Sequence, residues 1–270
     1  MTIKIAWFGK HFGEEPIISG TNGSGTIFFS GCNLHCQFCQ NYQISQEWIG
    51  KDYTISQLAD IMLDLQKQGS HNINLVSPTI WITQIREAII QAKEKGLIIP
   101  IVYNTNAYDN LEELKSLKGL VDIYLPDFKY SNNDLAKDYS KINNYKEIAS
   151  SCILEMISQQ PENIITKGIM TKGVIIRHLI LPNHVENTKD ALDIINSFSN
   201  HIILSLMTQY NPLYKAKEIL KLNRPINLDE YNDVMNYLNK FDFDEVFYQS
   251  FEENAKDTFV PDFNKENPFI

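Results

Sequence analysis

Along the chain, short runs of β-branched and aromatic residues alternate with longer stretches in which apolar residues recur every three or four positions. The short runs predict strands over 26–30, 73–76, 98–104, 121–125, 174–181 and 202–206, with a seventh at 245–248. The longer stretches predict helices between them. Thr54 and Gln57 form a capping box ahead of Ile55, Leu58, Ile61, Met62 and Leu65, and Gly69 follows as a stop. Asn110 with Glu113 and Asn227 with Glu230 repeat the start signature, and a helix over 83–95 stops at Gly96. Residues 131–160 read as mostly helical, 168–173 as a turn and 254–270 as coil. Strands and helices in alternation build a parallel sheet from βα units. The expected fold is α/β: a partial (β/α)6 barrel of parallel strands in a single domain. Its N-terminal segment is 1–22, its core 23–250 and its tail 251–270. Chemistry in such a fold belongs at the C-terminal ends of the strands.

Composition adds exclusions. With 43% apolar and 21% charged residues the chain is ordinary globular protein, and a net charge of -9 disfavours nucleic acid or an anionic membrane as partner. The best apolar run, 174–181, is interrupted by Arg177 and His178, so no membrane span is expected. The apolar run between Met1 and Gly13 is too short for a secretory signal. A cytoplasmic location follows as the expectation. Thiols stay reduced there, so three cysteines within eight residues read as metal or catalytic ligands rather than disulfide partners.

Those cysteines stand in Gly31-Cys32-Asn33-Leu34-His35-Cys36-Gln37-Phe38-Cys39-Gln40-Asn41, after the first predicted strand. Three thiolates on one loop can each bind a separate iron of a 4Fe-4S cubane, and the fourth iron is left without a protein ligand. Structural zinc needs a fourth ligand, and no second knuckle accompanies His35. A non-catalytic iron-sulfur redox protein ordinarily supplies four protein ligands. Cys152 lies in an apolar helical stretch and reads as packing.

Polar residues at other predicted strand ends have a chemical and a plain reading. Asn104 and Asn106 offer amide donors and acceptors to a ribose or carboxylate, or simply make a turn. Asp127 and Lys129, two apart, share one side of an extended chain as an ion pair or a ligand contact. Arg177 inside an apolar strand needs an anion, either a bound carboxylate or a neighbouring Asp. His178 faces the other side and reads as structural.

Taken together, these residues resemble the radical S-adenosylmethionine (SAM) superfamily, with Phe38 at the aromatic position before the last cysteine. Within it the chain is most similar to the activating enzymes of glycyl radical enzymes, the pyruvate formate-lyase activating enzyme-like group. Asn41 supplies their Cys-x-Asn, and Thr105-Asn106, Asp127-Phe128-Lys129 and Ile176-Arg177 follow or occupy the corresponding strands. Residues 207–216 resemble their late loop with a Tyr and a following Lys, and the likeness runs over roughly 23–248. The resemblance implies an oxidoreductase in which Cys32, Cys36 and Cys39 hold a 4Fe-4S cluster. It implies that SAM lies against Phe38, Asn41, Ser77, Thr79, Asn104, Asn106, Asp127, Lys129 and Arg177. SAM would close the fourth iron with its amino and carboxylate groups and be reductively cleaved to a 5′-deoxyadenosyl radical, with no acid or base required.

The same resemblance implies a protein substrate, a glycyl radical enzyme that loses hydrogen from a glycine, and an external electron donor such as flavodoxin or ferredoxin. A small-molecule substrate is the alternative. The chain departs from the superfamily after the second strand. Where Gly-Gly-Glu usually holds the SAM ammonium, it carries Ser77-Pro78-Thr79, so backbone carbonyls or the two hydroxyls would have to substitute. With four cysteines in all, no insert with a further cluster is expected.

Overall fold

From residue 24 onward each parallel strand except the last, at 245–248, is followed by helix, as the periodicities require. The computed structural model describes residues 1–252 and 260–270. In chain order these form β1 (Thr2–His11), α1 (Pro16–Ser19), β2 (Ser24–Phe29), α2 (Tyr42–Ser45), β3 (Lys51–Thr54), α3 (Ile55–Lys67) and β4 (Ile73–Val76). Then come α4 (Ile82–Glu94), β5 (Ile101–Thr105), α5 (Leu111–Lys115), β6 (Ile123–Pro126), α6 (Asn133–Ser140) and α7 (Tyr145–Gln159). The chain continues through β7 (Ile164–Thr166), β8 (Ile169–Leu179), α8 (Val185–Asn196), β9 (Ile203–Met207), α9 (Leu228–Leu238) and β10 (Glu245–Tyr248).

One sheet holds the strands in the order β10-β9-β8-β6-β5-β4-β2-β1-β3, with β7 on β8. From β2 to β10 every neighbour is parallel. The parallel run therefore has seven strands, 245–248 included, in an open sheet consistent with the expected partial barrel. Both capping boxes form, Thr54 with Gln57 and Asn227 with Glu230, and Asn110 caps α5 through its side chain.

One expectation needs correction, and two regions are filled in. The N-terminal segment contributes a strand: β1 pairs antiparallel with β2, and β3 adds outside it. Residues 168–173 are not all turn; Lys167 and Gly168 turn at positive φ, and from Ile169 the chain is already in β8. The coil expected over 254–270 falls partly outside the described residues, and its described part, 260–270, carries no strand or helix.

Alternation along the strands makes two cores. Tyr103 and Tyr124 point outward into a large layer under the helices, with Leu58, Ile85 and Leu192. Val102, Ile123, Leu125, Ile175 and Ile203 point inward and meet Ile17 and Ile18 of α1. The inward face is thus apolar at one end and plugged by α1. Two residues further along the same faces stand Asn104, Asp127, Arg177 and Ser205, so polarity is gathered at the C-terminal strand ends.

Candidate functional site

The cysteine loop leaves β2 through Gly31 at φ +85, where a Cβ would collide with the Trp48 ring and with Ile80. Only glycine fits both demands. The loop is then tied to α6: His35 N and Gln37 N donate to the Ser140 and Tyr139 carbonyls at 3.0 and 2.7 Å. Each thiol has a polar neighbour. Cys36 Sγ lies 3.0 Å from Ser140 Oγ, Cys39 Sγ 3.2 Å from Ser45 Oγ, and Cys32 Sγ accepts from Asn106 Nδ2 at 3.4 Å. Burial pushes the Cys32 thiol up to about 11 and Cys39 to about 12, each raised further by the Cys36 sulfur beside it. Cys152 is buried in α7 with Sγ on the Asp109 carbonyl, apart from the loop.

The three thiols line one cavity of about 200 Å³ together with Phe38, Asn41, Ser77, Asn104, Asn106, Asp127, Lys129 and Arg177. Phe38 packs at 6.0 Å against Tyr210. Ser77 holds the end of β4 at φ +58 and donates its N–H to the Asn104 carbonyl. Thr79 differs: its hydroxyl pairs with Thr105 Oγ1 at 3.0 Å, which donates to buried Asp109, and Thr79 is not among the residues lining the cavity. The expectation that its hydroxyl faces SAM gives way to that outward network. Asn106 donates to Cys32 and Asn33 and accepts from Tyr108 N, so it braces the cysteine loop.

Arg177 finds its anions inside the protein. Its Nε donates to Asp127 Oδ1 at 2.8 Å, Nη2 to Asn104 Oδ1 at 2.6 Å, and Nη1 lies 3.4 Å from Glu14 Oε2. Lys129 Nζ takes the other Asp127 oxygen at 2.6 Å. Burial would raise the Asp127 carboxyl, but Arg177 and Lys129 outweigh it and hold it below the ordinary carboxylate range. The ladder fixes this pairing, since Asp127 N bonds to Thr105 O and Phe128 N to Arg177 O. His178, one residue on, is structural: Nδ1 sits 2.6 Å from the Phe128 carbonyl and Nε2 3.0 Å from Thr188 Oγ1.

An acidic pair and one amide were missed in the sequence. Glu14 and Glu15 precede α1 and line a larger cavity of about 820 Å³, which shares Asn41, Asn104, Arg177 and Gln209 with the smaller one. Burial raises the Glu14 carboxyl to about 7 against the opposing pull of Arg177. Two adjacent carboxylates before a helix-starting Pro were the available signal, but nothing local says that they enter the sheet's interior. Gln209, the amide, sits in the late loop.

The donor set fits a cubane better than a single ion. No three His, Cys, Asp or Glu among the described residues are gathered around one point as ligands of a single ion. Separate irons, each with its own thiolate, need no such convergence. Beside the thiols, Asn41 Oδ1 and Gln209 Oε1 are buried acceptors without a hydrogen-bond partner, a pair suited to an ammonium.

Comparison with known proteins agrees. The family model for the radical SAM superfamily matches residues 26–171. The chain is 33% identical over 247 residues to the uncharacterized protein MJ0674 of Methanocaldococcus jannaschii, covering 88% of this chain and 67% of that one. It shares its fold with Streptococcus suis SuiB bound to S-adenosylmethionine, at a TM-score of 0.55 and 11% identity over 84% of this chain and 46% of that one. Methylornithine synthase (PylB) gives a TM-score of 0.55 at 15% identity, over 80% and 62% of the two chains. No helix among the described residues is long and apolar enough to cross a membrane. With a family model covering more than half its length and a three-cysteine loop at the mouth of a parallel sheet, this chain belongs to the radical SAM superfamily, whose members use a 4Fe-4S cluster and SAM.

Proposed function

We propose that this enzyme abstracts hydrogen from a small molecule held in the sheet's interior. The observation that carries this reading is the larger cavity, walled by Lys10 and His11 of β1, by β10, and by Pro261, Asn267 and Phe269 of the tail. Those segments wall the cavity with this chain's own residues, which favours a small molecule over an entering peptide. Cys32, Cys36 and Cys39 would hold the cluster, which supplies the electron that breaks a C–S bond of SAM to give the 5′-deoxyadenosyl radical. Asn41 Oδ1 and Gln209 Oε1 would accept from the SAM ammonium and take over from the missing Gly-Gly-Glu acid. Asp127, Lys129 and Arg177, locked to one another, would hold the adenosyl group without rearranging. An external flavodoxin or ferredoxin is the proposed electron donor.

Activation of a glycyl radical enzyme is the second reading, favoured by Asn41 two residues after Cys39 and by the late loop after β9. One experiment separates the two. The anaerobically reconstituted, reduced enzyme is given SAM and deuterated cell extract, split by filtration. Deuterium entering 5′-deoxyadenosine from the protein-free filtrate supports the first reading. A glycyl radical signal in electron paramagnetic resonance with the protein fraction alone would replace it by the second.

A further inference from the structure

The larger cavity is lined by a carboxyl group with an unpartnered oxygen. Glu15 is only 9% exposed, lines the cavity, and its Oε2 has no hydrogen-bond partner. A buried carboxylate left in that state is costly, so a fold keeps one only where something else completes it. The neighbouring cations are engaged elsewhere. Arg177 is close enough for Glu15 to stabilise its charge, yet its hydrogen bonds go to Asp127, Asn104 and Glu14. Lys10 Nζ reaches the Gln68 carbonyl at 3.2 Å. His11 is held neutral by burial, its pKa lowered to about 4. Glu14 is satisfied by Arg177 and by Asn74 Nδ2 at 2.8 Å.

Position separates Glu15 from the SAM contacts. The cysteines line the smaller cavity and not the larger, Glu15 the larger and not the smaller, and Arg177 and Asn104 stand between them. A ligand on Glu15 would therefore be a second molecule, reaching toward the adenosyl group from the floor. Beneath it Ile17 and Ile18 of α1 fill the apolar end, which stops the ligand from going deeper.

We infer that the substrate carries a cationic amine, and that its ammonium docks on Glu15 at the floor while its reacting carbon points toward the cysteine loop. This inference rests on the small-molecule reading above. It predicts a charge preference measurable before the true substrate is known. Calorimetry on the cluster-loaded, SAM-bound protein would compare 1,5-diaminopentane with its neutral isostere 1,5-pentanediol and with glutarate. The diamine should bind at least about tenfold tighter than the diol, with glutarate weakest. Glu15→Gln should remove that preference and Glu15→Asp restore part of it.

Because the buried Glu15 Oε2 has no hydrogen-bond partner, the Gln variant should melt no lower than the parent in the absence of diamine. Equal binding of diamine and diol overturns the inference, as does a Glu15→Gln protein that keeps the preference. Loss of SAM affinity in Glu15→Gln, or a lower melting temperature, would make Glu15 a SAM contact or a scaffold residue and overturn it equally. Reductive SAM cleavage by the unmodified enzyme is scored separately: its failure removes the radical reading, and the charge preference is still read from binding.

Discussion

At the scale of single residues, two buried cysteine environments make opposite predictions. Replacing Cys36 with Ala removes one of three thiolates and should abolish the iron and sulfide content of the reconstituted protein. Cys152→Ala, in the middle of α7, should keep both and cost about 1 kcal/mol of stability. His178 gives a pH dependence. It is buried and neutral, with burial lowering its pKa to about 4 from 6.5. The unfolded chain takes up the proton first on acidification, so this contribution is complete above pH 6.5 and is lost as pH falls toward 4. Urea unfolding should show roughly 3 kcal/mol of such loss, absent in His178→Asn. Arg177 was legible in the sequence because a guanidinium in an apolar strand demands an anion. That the anions would include Glu14, 163 residues away, was not, since no local pattern encodes a contact across the sheet.

At the scale of elements, what was legible is what is local. Capping boxes at Thr54 and Asn227 announce α3 and α9, and each cap replaced by Ala should cost about 1 kcal/mol in thermal unfolding without touching SAM binding. Strands β4, β5, β6, β9 and the later part of β8 follow from their own composition, whereas β7 and the start of β8 do not. By contrast β1 shows alternation at Ile3 and Ile5, but its role depends on a partner, β2, which the periodicity of residues 2–11 cannot name. The site depends on one element junction above all. Gly31→Ala places a Cβ against Trp48 and Ile80 at a positive φ, and the loop must shift to relieve it. The expected result is a folded protein with reduced cluster content; full iron and sulfide loading would show that the junction is not what sets the thiols.

At the scale of the whole molecule, the tail and the first two strands form one unit. Phe263 and Phe269 pack on Phe28, and Phe269 also on Trp7 and His11. Gln43 donates to Asp262 and accepts from Phe263 N. Phe263→Ala should cost roughly 3 kcal/mol and make the larger cavity easier to enter, read as faster exchange of bound SAM by rapid dilution. This arrangement also sets a timetable. Residues made early, Phe28 and Gln43, receive their cover from residues made some 220 positions later, the separation of the Gln43 contact with Phe263. Until that length is added, the apolar side of Phe28 and Trp7 stays uncovered. The wall of the larger cavity along β1 is therefore the last part of the molecule to be completed.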